Sequence, residues 1–115
     1  MRVLRLTILL FALAFAVSPS GVHSITINGT SARQQISTTA SRAHALQVVA
    51  EPGNASTVRV GDTQTSSTVG LPVTATSTAA GSQFLPPLSG SEVYILTNVY
   101  IYVATGDKAN VLWVD

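Results

Sequence analysis

The chain has 115 residues, enough for one domain with one core. It has no cysteine, which excludes a disulfide framework and thiolate chemistry. Only 10% of residues are charged and the net charge is +1, so there is no basic footprint for nucleic acid. Uncharged polar groups come instead from 13 Ser and 14 Thr. Hydroxyl residues suit exposed strand faces and surfaces covered by neighbours, where few charges need desolvating.

In chain order, Arg2 and Arg5 precede the apolar run Leu6 to Val17, followed by SPSGVHS. A basic start, about a dozen apolar residues and a small-residue exit have the form of a secretory signal peptide. Ala14-Phe15-Ala16 and Val22-His23-Ser24 both fit a cleavage site. The run is short for a membrane span, which needs roughly 20 apolar residues. Residues 1–24 are therefore expected to be either a signal segment, touching a membrane only in transit, or a hydrophobic N-terminal arm. One domain is expected over 25–115.

Short strands separated by turn residues fill that domain. Ser24 to Ile27 alternates and stops at Asn28-Gly29. Arg33 to Thr38 is a weaker strand, and His44 to Ala50 a strong one closed by Pro52-Gly53-Asn54. Thr57 to Val60 puts Val58 and Val60 on one face and Arg59 on the other. Val69 to Ala75 contains Pro72, which predicts an edge strand. A polar loop follows over Thr76 to Gly81, then a short strand Gln83 to Leu85 and a turn over Leu88 to Ser91. Glu92 to Thr97, Val99 to Ala104 and Asn110 to Val114 close the chain, with a hairpin signal at Gly106-Asp107.

About eight short strands and no capped helical period predict an all-β, antiparallel β-sandwich of jelly-roll type. Val93, Ile95, Val99, Ile101, Val103, Val111 and Trp113 are the expected core. Tyr94, Tyr100 and Tyr102 alternate with several of these, and so are expected on the opposite face as candidate interface residues.

Catalytic and ligand-binding constellations are sparse. The acids are Glu51, Asp62, Glu92, Asp107 and Asp115, with no tight pair for glycoside chemistry. Asp62 and Glu92 sit in turn contexts, where polar residues are ordinary. His23 and His44 are the only histidines, too few with these acids for a recognisable zinc ligand set. A Ser-His-acid arrangement on His44 lacks a G-x-S-x-G elbow. No metal, no cofactor and no catalytic residue is expected. Asn28-Gly29-Thr30 and Asn54-Ala55-Ser56 match the N-glycosylation pattern, which arises readily in a Ser/Thr-rich chain.

From Val58 to Val114 a further pattern runs through Val60-Gly61-Asp62, Ser66 to Thr68, Gly70-Leu71-Pro72, Phe84 to Pro86 and the closing Val93 to Val114. With the opening ITINGTSARQQIST, it resembles small tailed-phage virion proteins of the capsid-decoration or head-to-tail accessory type. The resemblance implies a compact β-sandwich, no catalysis, self-association into a homo-oligomer, other capsid or head proteins as partners, and a place in the virion. The N-terminus departs from it, since virion proteins assemble in the host cytoplasm and need no export signal. The alternative is a secreted or periplasmic bacterial module, adhesin-like or carbohydrate-binding, with Tyr94, Tyr100, Tyr102 and Trp113 as a stacking platform. A small hydrolase centred on His44 ranks last.

Overall fold

The computed structural model describes residues 21–86 and 92–115. The Leu88 to Ser91 turn expectation lies outside these residues, as does nearly all of the apolar N-terminal segment. Among the described residues there are ten strands: β1 (Val22–Asn28), β2 (Ala32–Gln35), β3 (Arg42–Ala43), β4 (Ala45–Ala50), β5 (Val58–Gly61), β6 (Leu71–Val73), β7 (Gly81–Phe84), β8 (Tyr94–Ile95), β9 (Tyr100–Val103) and β10 (Lys108–Val114). A 3-10 turn, Leu96–Asn98, separates β8 from β9.

Two four-stranded sheets carry the fold, one in the order β1-β10-β4-β7 and the other β2-β9-β5-β6. The short ribbon β3-β8 is separate. All pairings are antiparallel. With the ribbon set aside, the eight strands pair first with last, second with seventh, third with sixth and fourth with fifth. That is one long antiparallel hairpin, tipped at β5-β6 and rolled until its halves face each other across a core. It is the jelly-roll arrangement, and the all-β antiparallel sandwich expected from the strand pattern is present.

The core follows from alternation. Ile27, Leu46, Val48, Ala50, Ala109 and Val111 point inward from the first sheet. Val58, Val60, Val73, Ile101 and Val103 meet them from the second, and Ile36, Ala43, Leu96 and Val99 complete the cluster. Each fully buried Val, Leu or Ile side chain contributes roughly 1.5–3 kcal/mol relative to exposure.

Three expectations change. The Gly106-Asp107 turn does not close a hairpin, because β9 lies in one sheet and β10 in the other. The turn is tight, with Gly106 at φ 91° and the Asp107 N–H bonded to Ala104 O at 2.9 Å. Yet it carries the chain over the edge of the sandwich, so that Val103 and Ala109 face one core from opposite sides. Second, Glu92 to Thr97 is not one strand: only Tyr94–Ile95 pairs, with Arg42–Ala43, and the chain then turns to bury Leu96. Third, Val93 and Ile95 are only half-buried, while Tyr94 packs on the core. The register of this two-residue ribbon is set by β3, not by the main sheets. Trp113 is half-buried but packs against the core as expected. β1 begins at Val22, three residues before the anticipated domain start.

Pro72 lies on β6, at the edge of its sheet. The edge tolerates the missing N–H, as anticipated.

Polar staples hold the corners. Asp107, 6% exposed, accepts the N–H groups of Ala55 and Ser56, both at 2.9 Å. Beside it, Asn54 brackets Lys108, donating to its carbonyl at 2.8 Å and accepting its N–H at 3.0 Å. Together they pin the β4-β5 loop to the β9-β10 turn. At the same turn the Gly29 N–H donates to Asp107 O at 2.9 Å, and Gly29 has no room for a side chain: a Cβ would lie 1.7 Å from Ala104 O.

Candidate functional site

The fold presents two outer sheet faces, and their chemistry differs. On the β2-β9-β5-β6 sheet, Tyr100 and Tyr102 project outward from β9, both half-buried. Register places Arg33 and Arg59 directly beside Tyr102, one on each flanking strand, and Pro72 beyond Arg59. Gln35 and Gly61 flank Tyr100 in the next row. The Arg33 guanidinium lies over the Tyr100 ring, 5.4 Å from its centroid. Such a contact is worth about 0.5–1 kcal/mol at an exposed site. Arg59 is held differently: its Nε donates to Ser67 O and its Nη1 to Gly70 O, each at 3.1 Å. This fastens the β5-β6 loop under the guanidinium and fixes the cation beside Tyr102. The result is a pre-ordered Arg-Tyr-Arg row whose neighbours on the described strands, Gln35, Gly61 and Pro72, are uncharged.

Tyr94 is not part of that face. It sits on β8, packs on the core and donates its hydroxyl hydrogen to Pro86 O. Burial holds its phenol above the ordinary tyrosine range. Of the three candidate interface tyrosines, the fold thus brings two together and sends one elsewhere. Trp113, on the inward side of β10, does not join them. It is stacked on His23 at 5.4 Å and 21°. The aromatic row counted on for sugar stacking therefore consists of two rings, one of them already under Arg33.

The outer face of the β1-β10-β4-β7 sheet is divided along its length. At one end, Thr26 donates to Asn110 Oδ1 at 2.8 Å and Asn110 donates to Glu51 Oε1 at 3.0 Å, a polar ladder. At the other end the side chains are apolar. Val22, Phe84 and Val114 are 72%, 66% and 39% exposed, and they border a shallow depression of about 160 Å³ with no charged residue in its lining.

The strand ends nearby are joined by the one salt bridge among the described residues. His23 Nε2 and Asp115 Oδ2 lie 2.8 Å apart, and Asp115 Oδ1 accepts the Gly21 N–H at 2.6 Å. The Gly21 bond first, and His23 second, hold the Asp115 carboxyl below the ordinary aspartate range.

His44 is exposed at the rim of a second depression of about 270 Å³, shared with Leu46, Phe84, Pro86 and Tyr94. No acid among the described residues lines it. Asp62 accepts the Gln64 N–H at 2.8 Å, as a turn residue does, and Glu92 is exposed. Among the described residues no three His, Asp or Glu side chains gather as metal ligands. Of the two glycosylation triplets, Asn28 is exposed at the end of β1, whereas both ends of the Asn54 amide are engaged by the Lys108 backbone.

Sequence reasoning missed Arg33, Arg59 and the Val22-Phe84-Val114 cluster. The arginines carry a signal in their parity on β2 and β5, but only the pairing of both strands with β9 turns it into a row. The apolar cluster joins residues from three strands and has no local signal. Compared with protein-family models, with curated proteins and with solved structures, the chain matches none.

Proposed function

We propose that this protein is a non-enzymatic structural component of a virion, a capsid-decoration or head-accessory jelly roll that acts by self-association and lattice binding. The observation that carries the reading is the ordered Arg33-Tyr102-Arg59 row on a sheet face with few other charges. Tyr and Arg are the residues enriched at the centres of protein interfaces. Here Arg59 is already immobilised by two carbonyls, so little rotamer entropy remains to be lost on docking. The jelly-roll order supports the same reading, since capsid proteins are among the users of that architecture. Lectins use it too, so topology alone does not separate the two classes.

The working protein is a homo-oligomer seated on other capsid or head proteins. Assembly on the order of 1,600 Å² of buried surface per stable contact fits a domain of this size. The carbohydrate-binding alternative is less favoured, because Tyr94 and Trp113 lie away from the Tyr100-Tyr102 pair.

Sedimentation of the full chain tests the proposal, comparing wild type with Tyr102→Glu and Arg33→Glu. The expected result is a discrete oligomer that both substitutions dissociate while the fold is retained. A wild-type monomer at all accessible concentrations that binds immobilised glycans through Tyr100 would overturn it.

A further inference from the structure

Each sheet of the sandwich ends in two edge strands, and three of these four edges are guarded. β6 is three residues long and carries Pro72. β2 is four residues long, carries Arg33, and lays the Gln34 and Gln35 amides onto Asn28 O and Thr97 O. β7 is four residues long, and its Gly81 abuts Thr74 O, where a Cβ would lie 1.9 Å away. Shortness, proline, charge and cover keep a sheet edge from pairing with another chain. β1 has none of them. It is seven residues long, without proline, lysine, arginine or a carboxylate, and no described strand pairs with its outer side. We propose that this edge is a contact between two copies of the chain, β1 pairing antiparallel with β1 of the second copy about a two-fold axis. The inference rests on the self-association in the reading above and names a contact separate from the Arg-Tyr row.

The backbone phase along β1 fixes which groups the edge offers. Opposed residues in an antiparallel pair alternate between exchanging hydrogen bonds and not. At both ends of the β1-β10 ladder the bonded pair is odd-numbered: the Asp115 N–H donates to Gly21 O at 3.2 Å, and the Gly29 N–H to Asp107 O at 2.9 Å. His23, Ile25 and Ile27 therefore direct their backbone groups to β10, and Val22, Ser24, Thr26 and Asn28 turn theirs outward. Asn28 fits this phase, since its carbonyl takes the Gln34 amide from the side away from β10. Among the described residues Val22, Ser24 and Thr26 keep both N–H and C=O open along the edge. A second β1, with Ser24 opposite Ser24 and Val22 opposite Thr26, meets every one of these donors with an acceptor and every acceptor with a donor. One surface then serves both copies, as a two-fold contact requires. Charge agrees, because self-pairing of a strand with no Lys, Arg, Asp or Glu sets no like charges against each other. The side chains agree too. Ile25 packs toward the core but stays half-buried at the sheet margin, and the pairing places His23 of the second copy beside it.

Ser24 lies on the proposed axis and is exposed, so substitutions there test the contact directly. Opposed Cα atoms in a bonded antiparallel pair are about 5.5 Å apart, inside the roughly 4.4–6.8 Å that a disulfide spans. In the full, cysteine-free chain, oxidised Ser24→Cys is expected to give a covalent dimer, and Gln83→Cys, on the opposite edge of the same sheet, is expected to give none. Sedimentation in the Tyr102→Glu background, which removes the Arg-Tyr contact, is expected to show a dimer that Ser24→Pro and Ser24→Lys each convert to monomer. The proline deletes only an outward N–H, and the lysine sets two ammonium groups face to face. Urea unfolding checks that the domain is intact; if Ser24→Pro does not fold, Ser24→Lys decides. No covalent dimer from Ser24→Cys, equal cross-linking from Gln83→Cys, or a dimer that survives Ser24→Lys overturns the edge contact and leaves the virion reading to its own assay. A wild-type chain that is monomeric at all accessible concentrations, with no cross-link at position 24, overturns both.

Discussion

Asp107→Ala is the most informative single perturbation of the fold. The Asp107 carboxylate is 6% exposed and takes one backbone N–H on each oxygen, from Ala55 and Ser56, both at 2.9 Å. Hydrogen bonds to a charged group contribute about 1.5–3 kcal/mol each. The two donors belong to exposed residues, so water recovers part of the loss when the carboxylate is removed. The expected destabilisation is therefore about 2–4 kcal/mol, a large share of the 5–15 kcal/mol typical of a domain. Urea unfolding followed by the fluorescence of Trp113, the single tryptophan, reads it directly. With a slope of about 1.5 kcal/mol/M, the midpoint is expected to fall by roughly 1.3–2.7 M. Asp107→Asn keeps one acceptor and sets an amide N–H against the other donor, so it is expected to lose about as much. Hydrogen exchange at Ala55 and Ser56 should accelerate in both variants. A midpoint within about 0.3 M of wild type, with unchanged exchange at those two amides, would refute the idea that this carboxylate ties the β4-β5 loop to the β9-β10 turn.

Other perturbations probe different parts of the molecule. Ile101→Ala, at the fully buried centre of β9, is expected to cost about 3–4 kcal/mol by denaturant unfolding; a loss below about 1 kcal/mol would mean the site collapses around the cavity. Gly29→Ala places a Cβ 1.7 Å from Ala104 O and forces a backbone shift, with an expected loss of about 1–3 kcal/mol, while Gly21→Ala, with open space around it, should stay within about 0.5 kcal/mol. The lowered Asp115 carboxyl stabilises the start of β1 above the ordinary aspartate pKa of 3.8, and that contribution is lost as pH falls through its lower folded value. Fraying of Gly21 and His23 by hydrogen exchange should thus appear only in acid, and Asp115→Asn should show it already at neutral pH; identical profiles for the two proteins would count against the pairing. Tyr94→Phe removes the hydroxyl that donates to Pro86 O, and is expected to loosen Leu85-Pro86 with a loss of about 0.5–1.5 kcal/mol, read by thermal unfolding.

Fold class was written locally in this chain. The alternation in HALQVVA and VRV, the Asn28-Gly29 and Gly106-Asp107 turns, and the position of Pro72 each reflect constraints that act over a few residues: side chains alternate on a pleat, glycine relieves a turn, and proline cannot donate to a ladder. Those constraints survive without tertiary context, and so Ile101, Val103 and Val111 were legible as core from their spacing alone. What the same signals do not encode is which sheet a strand joins. A tight turn reverses the chain whether the next strand pairs beside the last one or crosses the core to face it, and at Gly106-Asp107 it crosses. That choice depends on β10 finding β1 and β4, partners more than fifty residues away in sequence, which together form the sheet that faces β9 across the core. The same holds for the surfaces. Tyr100 and Tyr102 share a face by parity, but the flanking arginines and the Val22-Phe84-Val114 cluster exist only once distant strands lie side by side, and Tyr94 left its predicted face because a two-residue ribbon took its register from β3. Local sterics and hydrophobic period set the elements; burial of apolar surface between elements far apart in the chain chose their arrangement.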